Sequence, residues 1–226
     1  MTTSQSTFPL RLTQIDDLTR PDHHYLDISD TCLFLGEYTA RKGFSFSATN
    51  HLVLNFKKSV DRRGRPEWQH KERAIREVGQ AFATAVKAEW LATATLVPIP
   101  PSKEKNDPLY DDRMQRMLRA IPAAQPLDIR ELLIQQQTME AAHDADVRPG
   151  PDQIAASYQI DENLCETAPN TIALFDDVIT TGAHFVAARR LLQLRFPQAR
   201  IIGFFIARRV PETTDFSAFF EDLDDK

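Results

Sequence analysis

Between residues 171 and 185 the chain reads Thr-Ile-Ala-Leu-Phe-Asp-Asp-Val-Ile-Thr-Thr-Gly-Ala-His-Phe, an order of residue types suited to holding a sugar phosphate. The adjacent carboxylates of Asp176 and Asp177 would repel a phosphate, so their fitting partners are neutral hydroxyls or a cation. The vicinal hydroxyls of a ribose meet that requirement, because hydrogen bonds to an ionised acceptor are about twice as strong as neutral ones. A few residues on, Thr180 and Thr181 offer hydroxyl donors, and Gly182 lets the backbone approach a ligand closely. A helix opening at Ala183 and His184 would add unpaired N–H groups and the positive end of its dipole, an environment that suits a phosphomonoester dianion.

The flanking residues say which elements must position these groups. Ile172, Ala173, Leu174 and Phe175 form a short run apolar at every position, as in a parallel strand buried on both faces. Asp176 and Asp177 then fall at its carboxyl end, where open α/β sheets bind ligands. Beyond Gly182, Phe185, Ala188, Leu191 and Leu192 recur at helical spacing. An ordinary helix cap explains an isolated Asp or Thr at such a place. It does not explain the apolar run, two acids, two threonines and a glycine in this order.

The stretch resembles the PRPP-binding motif of the type I phosphoribosyltransferases, in which an apolar strand leads into two acidic residues and a Thr-Gly phosphate loop. The resemblance implies that Asp176 and Asp177 hold the ribose hydroxyls of 5-phosphoribosyl-1-pyrophosphate (PRPP), and that Ile179, Thr180, Thr181, Gly182, Ala183 and His184 hold its 5′-phosphate. His184 departs from the pattern, since members more often carry a small hydroxyl residue there. Earlier in the chain, Thr95-Leu96-Val97-Pro98-Ile99-Pro100-Pro101-Ser102-Lys103 is similar to the strand and pyrophosphate loop of the ComF-like branch. A strand ending in prolines must lie at an edge or stop pairing there. Ser102, Lys103 and Lys105 are the expected diphosphate contacts, with the lysines acting as point charges. Arg130, Gln136 or Gln137, Arg148 and Tyr158 form a weaker echo around a loop that would close over PRPP.

The implied fold is α/β, of the type I phosphoribosyltransferase kind, with a mainly parallel central sheet flanked by helices. Residues 1–66 are expected to form an amino-terminal elaboration, or hood, 67–210 the transferase core and 211–226 an acidic tail. The implied reaction displaces pyrophosphate from C1 of PRPP by a nitrogen acceptor that no motif identifies. Mg²⁺ is the implied cofactor, with Asp176 or Asp177 an indirect ligand. A ligand-sensing or single-strand-binding protein on the same fold remains the alternative, resting on the basic run of residues 57–65. A homodimer is left open.

The rest of the chain sets bounds. A net charge of −5, with 26% charged residues, suits a soluble cytoplasmic protein and argues against a bulk electrostatic grip on nucleic acid. The two cysteines, Cys32 and Cys165, form no CxxC, and the adjacent His23 and His24 lack metal-ligand spacing. No run is apolar enough for a membrane span. Short aromatic and β-branched runs over residues 25–56 suggest a small sheet or hairpin, although 51–58 reads as strand or helix start. Residues 67–90 read as one long amphipathic helix with Ala74, Val78, Phe82, Ala85 and Trp90 on a stripe. Residues 107–120 read as another, and residues 126–134 as a strand. Strands alternating with helices imply parallel pairing.

Overall fold

A computed structural model describes residues 7–138 and 149–211. The apolar runs become strands of one six-stranded sheet: β1 (Thr13–Gln14), β2 (Cys32–Thr39), β3 (Thr95–Pro98), β4 (Asp128–Ile129), β7 (Thr171–Ile179) and β8 (Arg200–Val210). A separate antiparallel pair consists of β5 (Leu133–Gln135) and β6 (Tyr158–Ile160). The helices are α1 (Ala48–Phe56), α2 (Trp68–Ala85), α3 (Ala88–Thr93), α4 (Arg113–Arg119), α5 (Pro151–Ser157) and α6 (Ala183–Arg195). The sheet order is β1-β2-β8-β7-β3-β4, and every neighbouring pair is parallel except β1 with β2. The expected α/β architecture, a mainly parallel sheet flanked by helices, is present.

That order contains a topological switch point. From β3 the chain leads to β4 on one side, and from β7 to β8 on the other, so the connections leaving these neighbouring strands run in opposite directions. The space beyond such a switch point is the usual ligand site of open parallel sheets. Successive side chains of β7 alternate between two buried layers, as strand geometry dictates. Ile172 and Leu174 pack with Phe185, Ala188 and Leu192 of α6 and with Tyr158. Ala173 and Phe175 pack with Val53 and Phe56 of α1, Val78 and Phe82 of α2, and Met117 of α4. β7 has no polar side chain before Asp176 on either face except Thr171 at its start, which is why its apolar run is continuous.

Several elements differ from the sequence expectation. Residues 25–56 give no separate small sheet: β2 joins the central sheet beside β8, and α1 follows, with the Ser47 hydroxyl accepting the Asn50 N–H at 3.0 Å as its N-cap. The long helix over 67–90 is two helices, because β-branched Val86 adopts an extended backbone; this lets Trp90 of α3 reach Phe204 with ring centroids 5.3 Å apart. Helix α4 begins only at Arg113, because Asp107 and Pro108 form a turn in which the Asp107 carboxylate accepts the Leu109 N–H at 2.8 Å. Residues 126–134 supply two short strands, β4 and β5, belonging to different sheets. β7 also runs on to Ile179, so Asp176 and Asp177 lie within the strand rather than in a turn beyond it.

Among the described residues no helix is long and apolar enough to cross a membrane. Cys32 and Cys165 are both buried and free.

Candidate functional site at the switch point

Thr180, Thr181 and Gly182 link β7 to α6, and their shape is fixed from behind by the amino-terminal segment. The His23 Nδ1–H donates to the Thr180 carbonyl, and the Tyr25 N–H donates to the Thr181 carbonyl at 3.1 Å. His23 is fully buried, and burial holds it below the ordinary histidine range, which keeps Nε2 bare. Gly182 takes a left-handed backbone, φ 87°, and a Cβ there would lie 2.9 Å from Leu26 Cδ2. The left-handed conformation disfavours any larger residue, and a Cβ would also push the Leu26 side chain aside. With two loop carbonyls tied back, the first-turn N–H groups of α6 remain as donors without an intrahelical partner.

His184, in that first turn, lies with Nδ1 2.9 Å from the Tyr158 hydroxyl. Burial lowers the His184 pKa, and burial together with the Asp176 charge raises that of Tyr158. A neutral imidazole beside a protonated phenol is the result, and the bond fixes the ring's orientation. Tyr158, expected near the site, is thus placed by β6 against the first turn of α6.

The two carboxylates part company. Because side chains alternate along a strand, Asp176 faces the Tyr158 layer and Asp177 the α1 and α4 layer. Asp177, only 4% exposed, has both oxygens engaged: Oδ1 accepts Lys57 Nζ at 2.8 Å, and Oδ2 accepts Arg113 Nη2 at 2.5 Å and Nε at 3.1 Å. Burial alone would raise its pKa, but Lys57 and Arg113 hold it well below the usual carboxylate range. Asp176 is half-buried, has one oxygen accepting the Asp177 N–H at 2.7 Å, and lacks a cation of its own. Burial, then the neighbouring Asp177 charge, pushes it up to about 7.

Arg113 continues into a buried network. Its Nη1 donates to Asp111 Oδ2 at 2.9 Å, and the same oxygen accepts Lys71 Nζ at 2.7 Å. Lys71, fully buried on α2, also donates to the carbonyls of Phe56 at 3.0 Å and Lys58 at 2.8 Å. It therefore caps the carboxyl end of α1 and positions the residue between those carbonyls, Lys57.

The diphosphate side expected from the sequence is arranged differently. β3 does stop pairing at its prolines, after Ile99 N–H donates to the Phe175 carbonyl at 2.9 Å. Lys103 lies 3.8 Å from Asp107, and Lys105 pairs with Glu131 at 2.7 Å, so both lysines already have partners. Ser102 is half-buried on the same loop. Arg130 is a structural residue, bound to Asp128 at 2.8 Å and to the Thr167 carbonyl at 2.6 Å. Gln136 bonds Gln159 at 3.1 Å across the β5–β6 pair. The expected closing loop, with Arg148, falls largely on residues 139–148, outside the described residues, as do most of the acceptor candidates over 208–220 and the tail over 221–226.

Sequence reading missed Lys57, Arg113, Lys71, Asp111 and the role of His23. One signal was present: Lys71 lies on the stripe of Ile75, Val78 and Phe82, and a lysine on an apolar face must have a buried partner. The run 57–65, read as a solvated loop, is exposed over residues 61–65, while Lys57 bonds Asp177, Lys58 bonds Asn55 and the Glu67 carbonyl, and Arg63 stacks over Trp68.

No protein-family model matches the chain, and no curated protein matches it.

Proposed function

We propose that this protein is a phosphoribosyltransferase of the type I fold that binds PRPP with Mg²⁺ and transfers its phosphoribosyl group to a nitrogen acceptor, releasing pyrophosphate. The observation that carries this reading is the β7–α6 junction at the switch point. There an acidic pair precedes a Thr-Thr-Gly turn whose carbonyls are held back by His23 and Tyr25, leaving helix N–H groups for a phosphate. Displacement at C1 passes through a ribosyl oxocarbenium-like state, so catalysis rests on positioning and charge stabilisation rather than on a strong base.

On this reading the roles divide among a few residues. Thr180, Thr181 and the first turn of α6 hold the 5′-phosphate, and Tyr158 orients His184 beside it. Asp176, with an oxygen free of any cation, is the carboxylate that fits a ribose hydroxyl or a phosphate-bound Mg²⁺. Among the described residues there is no cluster of three or more metal-ligating side chains. Mg²⁺ held there by Asp176 and the substrate phosphates would neutralise charge on the leaving diphosphate.

Calorimetry with PRPP tests the reading. Binding that requires Mg²⁺ and is lost in Thr181→Val is expected, and PRPP-dependent pyrophosphate release across a panel of nucleobases and amines identifies the acceptor. Folded protein that fails to bind PRPP overturns it. The single-strand-binding alternative gains no specific observation, since the two lysines of the basic run that suggested it, Lys57 and Lys58, are bonded within the chain.

A further inference from the structure

Lys57, Lys71, Arg113, Asp111 and Asp177 form one connected charge network. Three cations face two carboxylates in direct contact, and Asp176, near enough to feel Lys57 and Arg113, has its own charge opposed by burial, so the direct contacts leave one positive charge in excess. Burying such an excess is costly unless a further anion arrives. The unequal exposure shows where it would arrive: the Lys57 side chain is 44% exposed, Arg113 17% and Lys71 0%. The Lys57 and Arg113 end meets β7 at Asp177, two residues beyond Phe175, where β3 stops pairing, whereas the Lys71 end is closed off by α1 and α2.

We propose that Lys57 and Arg113 are the binding site for a diphosphate group, and that Asp177 fills this site in the empty protein as an internal counter-ion which the incoming polyanion displaces. Asp177 presents one oxygen to Lys57 and the other to Arg113, as a bridging anion would. Being part of the chain, it occupies the cations without the entropic cost of association, so a weakly charged ligand cannot displace it. A diphosphate carries several negative charges on separated oxygens and can satisfy both cations while also meeting the unbalanced charge. Arg113 matches such oxygens with its planar fork, and its second contact to Asp111 keeps the guanidinium in place during the exchange. Released from its cations, the Asp177 carboxylate is free to accept a hydroxyl. The inference deepens the transferase reading, since diphosphate is the group that reading expels.

The test uses inorganic pyrophosphate, a probe without ribose, titrated calorimetrically into the whole chain without metal, with inorganic phosphate for comparison. Asp177→Asn is expected to bind pyrophosphate about tenfold or more tightly than the parent, because the competing anion is gone. Lys57→Gln is expected to bind it about tenfold more weakly. Pyrophosphate affinity that falls or stays level in Asp177→Asn overturns the inference. Should that variant not fold, the half-exposed Lys57→Gln decides, and unchanged affinity there overturns it equally. Pyrophosphate binding that follows this pattern in a protein unable to bind PRPP keeps the anion site and removes the transferase reading. PRPP binding with a pyrophosphate affinity indifferent to Asp177 and Lys57 does the reverse.

Discussion

Asp176 and Asp177 are neighbours of the same chemical type at the end of one strand, yet the two faces of β7 make opposite electrostatic demands on them. On the α1 and α4 face, two cations grip Asp177 and hold its pKa well below the ordinary range. On the Tyr158 face, burial and the adjacent charge push Asp176 up to about 7. Sequence order made them look like a matched pair. Strand alternation makes one of them a structural counter-ion and the other the available, reluctantly ionised acceptor.

The comparison breaks first at its support. Lys71→Met removes a buried cation, leaving Asp111 with Arg113 alone and freeing two carbonyls, and is expected to cost about 4 kcal/mol in chemical denaturation. Asp177→Asn comes next: Arg113 keeps Asp111 and Lys57 reaches solvent, so the loss is about 3 kcal/mol, read in the same way.

Asp176→Asn sharpens the comparison because its sign is opposite. A carboxyl whose folded pKa is raised binds more protons when native, so its contribution to stability is fully present below about pH 4 and is lost as pH rises through about 7. Near pH 8 the Asn variant is therefore expected to gain on the order of 2 kcal/mol, with allowance for partial exposure and for the coupling to Asp177. Below about pH 4 the gain vanishes. For Asp177 the linkage runs the other way, its contribution present above about pH 4 and lost as pH falls through its depressed value. Stability curves of the two variants against pH should accordingly diverge from the parent in opposite directions at neutral pH. Parallel curves would refute the assignment of the two faces.

Gly182→Ala gives the smallest stability effect, about 1–2 kcal/mol for the left-handed backbone. It is expected to weaken phosphate-ligand binding out of proportion to that loss, measurable by titration of PRPP. The displaced Leu26 side chain and the loop carbonyls held by His23 and Tyr25 share one small region.

What could be read from the sequence was what lies together in it. Residues 171–185 carry strand, acids, turn and helix start contiguously, and helix α6 spans the same residues in the structure as its periodicity implied. The α/β class followed from the alternation of such segments. The cation site could not be read because Lys57, Arg113 and Asp177 meet only when α1, α4 and β7 are packed. Each looks ordinary in its own context, a loop lysine and a helix arginine. The lysines nearest the proline strand, Lys103 and Lys105, drew attention by proximity in sequence and are paired with Asp107 and Glu131. Helix bounds failed where side chains overrode periodicity, at Val86 and at the Asp107 turn.

The pairing of β2 with β8, in which Cys32 stands opposite Gly203, has a consequence for how the protein is made. During synthesis β2 has only β1 beside it until β8 has left the ribosome, so the segment around β2 is seated in the sheet only after β3, β7 and α6 have been made. That segment carries His23, Tyr25, Leu26 and Lys57, the residues that shape the turn and fill the charge network. A nascent chain can therefore build β3, β7 and α6 in order and still hold no finished site, which comes into being only once β8 has joined the sheet.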